Sequence, residues 1–300
     1  MSKFKSGFVS LVGRTNVGKS SLLNQLVKEK VAITADKTQT TRTAIKAILN
    51  DDNYQIIITD TPGIHKPKTK LGETMISTAF TMFSEVDVIL FLIDASSIEI
   101  GRGDRKILDK IIESKKPCIL VINKIDLVQK DSLLNLIKLY SDAYEFKAVV
   151  PISATTGENC EAVVDEVLKL LPEGPKYYDD DEYTDQTMRQ MAEEIIREKA
   201  LKLLDDEVPH GIYVEVDEFK NRLTTKGENI YDIVANIYCI RESHKGIIIG
   251  KGGSMLKRIA SYARSDMEKT FDSKVNLKVW VKVREDWQEK DSIVNKFKLK

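Results

Sequence analysis

Apolar runs alternate with amphipathic stretches along the first 170 residues. The strand-like runs are GFVSLVG (7–13), AIKAIL (44–49), YQIIITD (54–60), DVILFLID (87–94), PCILVINK (117–124) and AVVPIS (148–153). Between them lie helical patterns that begin at Gly18 or cover residues near 70–84, 104–115, 131–140 and 158–170. Nearly continuous Ile, Val and Leu strands separated by helices are typical of a mainly parallel sheet covered on both faces. The pattern therefore predicts a doubly wound α/β domain over residues 1–173.

A passage rich in Pro, Gly and acidic residues, PEGPKYYDDDEYTDQT, follows Leu171 and has no apolar period. It predicts a linker over residues 174–186. Beyond it the pattern predicts a helix (186–206), two strands (212–219 and 230–240), a short helix (243–249), a glycine-rich turn, a helix (254–271) and a strand (275–284). We assign residues 187–300 to a second, α+β domain, because 300 residues exceed what one core usually organises.

Composition indicates a globular protein of the cytoplasm. Hydrophobic residues make up 42% of the chain and charged residues 31%, no apolar run approaches 18 residues, and the N-terminus does not resemble a secretory signal. Three scattered cysteines lack CxxC spacing, so we expect them to be packing residues rather than zinc ligands or disulfides. The net charge of zero conceals a basic third, since residues 210–300 hold 18 Lys and Arg against 13 Asp and Glu.

Residues 13–20 match the phosphate-loop pattern GxxxxGK[ST] between a predicted strand and a predicted helix. The glycines let successive backbone N–H groups face phosphates at a helix start, where the helix dipole favours anions. Lys19 is expected to reach the β- and γ-phosphates, and Ser20 to ligate Mg²⁺. The nucleotide-binding residues predicted in this loop are Gly13, Arg14, Thr15, Asn16, Val17, Gly18, Lys19, Ser20 and Ser21.

A second phosphate-side motif, DTPG, ends the strand YQIIITD. Asp60 is expected to hold Mg²⁺ through water, and the N–H of Gly63 to meet the γ-phosphate, which a residue with a Cβ could not approach. In the loop TQTTR (38–42), a threonine hydroxyl can complete the metal shell when GTP is bound. We favour Thr41 over Thr40. Catalytic roles are thus predicted for Lys19, Thr41, Asp60 and Gly63.

The base-recognition motif NKID follows the strand PCILVI. The Asp126 carboxylate can accept hydrogen bonds from N1–H and the exocyclic amine of guanine, which adenine does not offer, so GTP and GDP are the predicted nucleotides. Asn123 and Lys124 belong to the same motif. Ser153 and Ala154, at the end of AVVPIS, are expected to add a backbone contact to the guanine oxygen.

The hydrolytic machinery lacks the glutamine that some GTPases place after the DxxG glycine, because Ile64 occupies that position. We therefore expect slow intrinsic hydrolysis, with the transition-state charge met by backbone groups, by a partner or by a monovalent cation. Asn16 motivates the last option, since its amide oxygen could coordinate K⁺ beside the phosphates; the other interpretation is an ordinary loop residue. An RNA-binding module that senses GTP and GDP with negligible turnover is left open as the alternative function.

A GxxG turn joins the two predicted helices after the second strand. Such turns clamp the sugar-phosphate backbone in KH domains, and the element order α-β-β-α-α-β is that of the second KH topology. The basic excess of this region also suits RNA. The predicted RNA-binding residues are Ile247, Ile248 and Ile249 as the floor of a groove, Gly250, Lys251, Gly252 and Gly253 as the turn, and Lys257 and Arg258 on the next helical turn.

The last predicted strand alternates between apolar and polar residues, which indicates a half-exposed strand. It carries Lys278, Lys282 and Arg284 on one face, and these charges are more typical of a solvated face than of a binding patch. Trp280 and Trp287 are expected to pack rather than to stack on bases.

In combination, GRTNVGKS, QTTR, DTPG, NKID and SA, joined through the acidic passage and AEEIIREK to GIIIGKGG and LKVWVKVREDW, resemble the Era family of bacterial GTPases over nearly the entire chain. The resemblance implies a ribosome-assembly factor that binds the small ribosomal subunit near the 3′ end of 16S ribosomal RNA, with no DNA partner. It also implies a peripheral association with the inner membrane, for which the sequence shows no anchor.

The resemblance further implies that GTP controls the affinity for RNA. We predict that bound GTP orders residues 36–43 and 61–72 around Mg²⁺ and the γ-phosphate and thereby biases the packing of the KH module.

Overall fold

The computed structural model divides the chain into two compact units. The first comprises Met1–Ala32, Thr41–Asp185 and Val294–Lys300, and the second Ile33–Thr40 and Gln186–Ile293. Within them the structure describes residues 4–35, 37, 40–64, 67, 69–223 and 227–297. Parts of the two ranges predicted to respond to GTP therefore lie outside the described residues, namely 36, 38, 39, 65, 66 and 68.

Six strands form the sheet of the first unit. They are β1 (Lys5–Gly13), β2 (Ile45–Asn50), β3 (Tyr54–Asp60), β4 (Val88–Asp94), β5 (Cys118–Asn123) and β6 (Ala148–Pro151). Their order is β2-β3-β1-β4-β5-β6, and every neighbouring pair is parallel except β2 with β3. The predicted mainly parallel sheet is confirmed.

Helices cover both faces of this sheet. They are α1 (Lys19–Val27), α2 (Lys70–Thr81), α3 (Arg102–Ser114), α4 (Lys130–Ala143) and α5 (Cys160–Leu170). One apolar cluster includes Leu22 of α1 and Val163 of α5, and a separate one includes Ala79 of α2, Ile107 of α3 and Leu136 of α4. Because each face buries its own cluster, the central strands are apolar on both sides, which explains their continuous Ile, Val and Leu runs.

The acidic passage after Leu171 is hydrogen-bonded along the first unit. The buried Gln55 side chain accepts from the N–H groups of Tyr177 (2.7 Å) and Tyr178 (3.0 Å) and donates to the Tyr178 carbonyl (2.9 Å). Farther along, the Thr184 hydroxyl donates to the Lys46 carbonyl on β2 (2.8 Å). Hydrogen bonds, rather than the burial of an apolar face, hold this passage against the sheet. Its sequence therefore shows no hydrophobic periodicity.

The second unit contains α6 (Met188–Leu203), β7 (Tyr213–Leu223), β8 (Asn229–Cys239), α7 (Glu242–Ile249), α8 (Ser254–Thr270) and β9 (Lys274–Val283). Its sheet has the order β7-β8-β9, with β7 antiparallel and β9 parallel to β8. A capping box formed by Thr187 and Gln190 starts α6. The predicted α-β-β-α-α-β order is confirmed. A short helix, α9 (Asp291–Val294), was not predicted.

The two tryptophans have opposite environments. Trp287 has no exposed surface and donates its indole N–H to the Gly211 carbonyl (3.0 Å), whereas Trp280 on β9 is 60% exposed. The packing expectation is thus confirmed for Trp287 and wrong for Trp280, because the inward face of β9 is filled by the residues at odd positions. All three cysteines are buried and unpaired, as expected. Among the described helices, none combines the length and apolar character needed to cross a membrane.

Candidate functional site

The phosphate loop connects the end of β1 to the start of α1. Its two glycines lie so close to neighbouring atoms that neither position has room for a side chain. A Cβ at Gly13 would lie 2.3 Å from the Leu92 carbonyl oxygen, and a Cβ at Gly18 would lie 2.1 Å from the Asn123 side-chain nitrogen. Gly18 also has a φ of +99°. The loop therefore keeps its course only with glycine at these two positions.

Lys19 is buried beneath the loop that precedes it. Its ammonium donates to the carbonyl oxygens of Gly13 (3.3 Å) and Arg14 (3.0 Å). Burial lowers the pKa of Lys19, and the Asp60 carboxylate opposes that effect. A cation held inside a ring of main-chain groups is the arrangement that binds phosphate oxygens.

Three oxygen-bearing side chains converge beside Lys19. The Ser20 hydroxyl donates to Asp60 Oδ2 (2.7 Å), the Thr41 hydroxyl donates to the same oxygen (3.1 Å), and the two hydroxyls are 2.9 Å apart. The second carboxylate oxygen of Asp60 is buried and has no hydrogen-bond partner among the described residues. Burial also raises the pKa of Asp60, against the lowering effects of Lys19, Ser20 and Thr41. Hard oxygen donors with one orphaned carboxylate oxygen fit a Mg²⁺ ion.

The DTPG motif lies against the phosphate loop. A Cβ at Gly63 would lie 2.9 Å from Thr15 Cα, so the close approach requires glycine. The next N–H, that of Ile64, donates to the Gly13 carbonyl (3.1 Å). The Ile64 side chain is 3% exposed and packs in the cluster that contains Phe83. Ile64 is therefore a core residue, which a sequence motif cannot show.

Asn123 joins the base-recognition motif to the rest of the site. Its side-chain nitrogen donates to the Val17 carbonyl (2.8 Å), and its side-chain oxygen accepts from the Ala154 N–H (2.9 Å). Ser153 is fully buried, and its N–H donates to the Glu158 carbonyl (3.0 Å). The side-chain amide of Asn123 thus connects three predicted motifs: its own base-recognition motif, the phosphate loop at Val17 and the Ser153-Ala154 motif.

Two acidic residues of the site could not be predicted from the spacing of the sequence motifs. Lys124 has a φ of +69°, and its ammonium donates to Asp94 Oδ2 at the end of β4 (2.6 Å). Arg14 donates to Asp104 Oδ2 on α3 (3.3 Å). Both carboxylates come from segments whose sequence pattern predicts only a strand or a helix.

The other predicted nucleotide residues are near the surface. Asp126 is exposed in a short 3₁₀ turn, Asn16 is exposed with a φ of +64°, and Thr15 and Ser21 are half-buried.

The GxxG turn lies between the end of α7 and the start of α8. Gly250, Gly252 and Gly253 have φ values of +72°, +59° and +79°. A Cβ at Gly250 would meet Met255 Cβ at 2.8 Å, whereas one at Gly252 or Gly253 would have no atom within 4 Å. The positive φ values favour glycine at all three positions. The space beside Gly252 and Gly253 is open. Lys251 is exposed at its tip.

Residues beside the turn differ in their access to solvent. Ile247 is 51% exposed and Ile249 is half-buried, but Ile248 has no exposed surface and belongs to the core of the unit. Lys257 and Arg258 are exposed on α8. Helical rotation separates Ile248 from its neighbours, so only two of the three isoleucines can line a groove.

Comparison with known families assigns both parts of the chain. The model of the family described as 50S ribosome-binding GTPase matches residues 8–124, and the KH domain model matches residues 207–288. GTPase Era of Caldanaerobacter subterraneus subsp. tengcongensis is 52% identical over 293 residues, covering 98% of this chain and 97% of the relative. GTPase Era of Clostridioides difficile (strain 630) is 51% identical over 98% of each chain.

Two solved structures superimpose on nearly the whole chain, each with a TM-score of 0.93 and 41% identity. One is Era in complex with MgGDPNP and nucleotides 1506–1542 of 16S ribosomal RNA, covering 98% of both chains. The other is a variant of Aquifex aeolicus Era bound to GDP and AlF₄⁻, covering 98% of this chain and 99% of that one.

Proposed function

The chain belongs to the Era family of GTPases, and from this premise we propose that it binds 16S ribosomal RNA near the 3′ end through its GxxG turn, with an affinity set by the bound nucleotide. The observation that carries the proposal is the open, glycine-built turn between α7 and α8, in a chain that superimposes on a relative holding both MgGDPNP and this part of the RNA. The protein would thereby act on the small ribosomal subunit in the cytoplasm. Nothing among the described residues supports the peripheral membrane association.

At the phosphate side, Lys19 would contact the β- and γ-phosphates, Ser20 and Thr41 would ligate Mg²⁺, and Asp60 would hold the ion through water. Mg²⁺ supplies charge neutralisation of the phosphate oxygens. Three observations support these roles: the mutual distances of 2.7–3.1 Å among the hydroxyl and carboxylate oxygens, the orphaned Asp60 oxygen and the buried ammonium.

The same geometry favours Thr41 over Thr40 as the metal ligand. The Thr40 hydroxyl donates to the carbonyl oxygens of Ala35 (3.2 Å) and Lys37 (2.6 Å), so it is engaged within its own loop. Of these two hydroxyls, the one on Thr41 lies beside Ser20 and Asp60.

At the base side, the exposed Asp126 carboxylate accepts from N1–H and the amine of guanine. Asn123, which already joins Val17 to Ala154, keeps the phosphate loop and the base loop at a constant separation. The Lys124–Asp94 pair orients the lysine stem alongside the base, and the main chain at Ser153 and Ala154 faces the guanine oxygen. Gly63 contributes its N–H to the γ-phosphate.

The sequence left two functions open: a GTP-hydrolysing factor, or an RNA-binding module that senses GTP and GDP with negligible turnover. Membership of the Era family of GTPases favours the hydrolase. Because Ile64 is a core residue, it cannot orient the attacking water, and the charge of the transition state has to be met elsewhere. We assign part of that role to K⁺ coordinated by Asn16, whose exposed position in the phosphate loop supports the assignment. Single-turnover hydrolysis should be faster in K⁺ than in Na⁺ buffer, and equal rates would remove the cation from the mechanism.

The test of the proposed function measures binding of an RNA fragment from the 3′ end of 16S ribosomal RNA in the GDPNP and GDP states. We expect tighter binding with GDPNP, and a loss on the order of tenfold or more in the double variant Lys251→Asp, Gly252→Asp, because the turn then repels the phosphates it would clamp. Lys220→Asp, on an exposed strand of the same unit, is the matched control and should bind nearly as well as wild type.

Crosslinking of the GDPNP-bound protein to total RNA, followed by sequencing, identifies the nucleotides contacted. Contacts concentrated outside the 3′ region, or affinity unchanged by the turn variant, would contradict the proposal.

A further inference from the structure

Arg14, the second residue of the phosphate loop, has a side chain that lies against the start of α3. Its guanidinium donates to Asp104 Oδ2 (3.3 Å). A Cβ at Gly103 would lie 3.1 Å from Arg14 Cδ, and a Cβ at Gly101 would lie 3.4 Å from the guanidinium nitrogen. Two glycines thus leave room for the Arg14 stem, and a carboxylate binds its end.

Asp104 carries its charge in a buried position. Its side chain is only 3% exposed and lies in the first turn of α3, where the helix dipole favours an anion. Burial raises the pKa of the Asp104 carboxyl, and the charge and hydrogen bond of Arg14 oppose that effect. A carboxylate buried to this degree is costly without its cation, so this contact restrains Arg14 more firmly than a pair of exposed side chains would.

The hydroxyl of Tyr140 on α4 is buried on the same side of Asp104. Burial raises the pKa of Tyr140, and the charge of Asp104 raises it further. The hydroxyl is therefore close to the carboxylate, but it does not meet the geometry of a hydrogen bond with it. Of the described side chains, Arg14 is the one that donates to Asp104.

The main chain of Arg14 makes two contacts inside the nucleotide site. Its carbonyl oxygen accepts from the Lys19 ammonium (3.0 Å). It also pairs with Ile64 in an isolated parallel β-bridge, next to the bond from the Ile64 N–H to the Gly13 carbonyl (3.1 Å). Ile64 directly follows Gly63, the residue assigned to the γ-phosphate. Arg14 thus connects the lysine of the phosphate loop to the DTPG motif.

Restraint of the Arg14 side chain also restrains its main chain. The peptide unit that contains the Arg14 carbonyl is planar, so its direction toward Lys19 depends on the backbone torsions of Arg14. The preceding residue is Gly13, and glycine by itself gives the chain wide conformational freedom. With the guanidinium bound to Asp104 and the stem against Gly103, the torsions of Arg14 have little freedom to change.

We propose that Asp104 is a positioning residue for the phosphate loop, acting through Arg14 to direct the Arg14 carbonyl at Lys19 and to keep the DTPG motif against the loop. The proposal rests on the proposed function, in which Lys19 and the Gly63 N–H contact the γ-phosphate. Because GDP has no γ-phosphate, loss of the restraint affects GDPNP binding and GTP hydrolysis more than it affects GDP binding.

A double-mutant cycle tests this role. Asp104→Asn keeps the size of the side chain and removes its charge, whereas Arg14→Met keeps the stem and removes the guanidinium. The measured quantities are the dissociation constants for GDP and GDPNP with Mg²⁺ and the single-turnover rate of GTP hydrolysis per folded molecule. We expect each single variant to lower the GDPNP affinity and the rate about fivefold or more, and the GDP affinity about twofold or less. The double variant should lose no more than the larger single loss.

Asp109→Asn, at an exposed position of α3, is the matched control and should leave both affinities and the rate unchanged. Urea denaturation of each variant separates stability from function. A purely structural role of Asp104 would lower the free energy of unfolding and weaken GDP and GDPNP binding equally, with an unchanged rate per folded molecule. That result would overturn the proposed role.

Gly103→Ala provides a second test if Asp104→Asn fails to fold. Its methyl group would press on Arg14 Cδ and leave the Asp104 carboxylate in place, and alanine suits a helix better than glycine. It should lower the GDPNP affinity relative to the GDP affinity without destabilising the protein. An unchanged ratio in Gly103→Ala would overturn the proposed role.

The remaining outcomes separate this role from the proposed function. A loss in Arg14→Met with no loss in Asp104→Asn would mean that Arg14 acts on the nucleotide directly, and additive losses would mean that the two residues act separately. Either result would overturn the role of Asp104 and leave the proposed function intact. Lys19→Ala without effect on GDPNP affinity or hydrolysis would overturn the proposed function and this role with it.

Discussion

Asn123 donates its side-chain N–H to the Val17 carbonyl across 2.8 Å, so the residue that opens the base-recognition motif also holds the phosphate loop. The contact passes directly over Gly18, whose missing Cβ leaves the space for it. The same amide accepts from the Ala154 N–H. A single side chain thereby sets the spacing between the parts of the site that bind phosphate and base.

Replacing Asn123 by alanine should weaken GTP and GDP binding alike, because the phosphate loop and the Ala154 loop both lose a buried partner. It should also lower the free energy of unfolding by about 1–3 kcal/mol. Calorimetric titration and urea denaturation measure the two effects. Asn135→Ala changes an exposed residue on α4 of the same unit and should change neither much. Wild-type nucleotide affinity in Asn123→Ala would contradict the role of this contact.

Asp126→Asn should exchange the base preference. The amide presents N–H groups where the carboxylate accepted hydrogen bonds, so guanine loses its partner and xanthine, with a carbonyl in place of the amine, gains one. We expect GTP affinity to fall by roughly 10²-fold or more and the affinity for the xanthosine nucleotide to rise. Competition titrations with both nucleotides measure the change. If GTP affinity stayed within a few-fold of wild type, Asp126 would not be the base-reading residue.

Ile64→Gln should not create a faster GTPase. The side chain at this position lies in the core, so an amide there would be buried without partners and would destabilise the protein by roughly 1–3 kcal/mol. Single-turnover hydrolysis per folded molecule and the denaturation midpoint measure the two outcomes, with Ile64→Val as the apolar control. A large rate increase in the glutamine variant would show that residue 64 leaves the core during turnover.

Glu193 on α6 makes the stability of the second unit depend on pH. Burial raises the pKa of Glu193 to about 7, aided by Glu194 and Glu215 and opposed by the Val216 N–H and Arg189. Between about 4.5, its ordinary value, and about 7, the unfolded chain has lost a proton that the folded chain keeps, so stability falls as pH rises through this window.

We expect that loss to be roughly 1–3 kcal/mol. Glu193→Gln, which resembles the protonated acid, should match wild type near pH 4.5 and be more stable above pH 7. Denaturation at a series of pH values measures this difference, and the exposed pair variant Glu218→Gln serves as control. Parallel pH profiles for wild type and Glu193→Gln would show that Glu193 does not titrate in this range.

Local sequence determined the elements and the chemistry that each carries. The strand YQIIITD is β3 to the residue, and the helix after the phosphate loop begins at Lys19, one residue after the predicted Gly18. Such features depend on side-chain period, on glycine and on residues a few positions apart, so a short window of sequence contains the whole cause.

Only the tertiary structure decided which distant groups meet. Asn123 reaches Val17, Gln55 pairs with Tyr178, and Arg197 holds Thr40, each across more than 100 positions of the chain. The burial of Ile248 and Ile64 and the exposure of Trp280 likewise depend on what packs against each element. The physical reason is that periodicity specifies a face of a helix or strand, whereas the partner of that face is chosen by the packing of the complete chain, in which a buried polar group is stable only beside its complement.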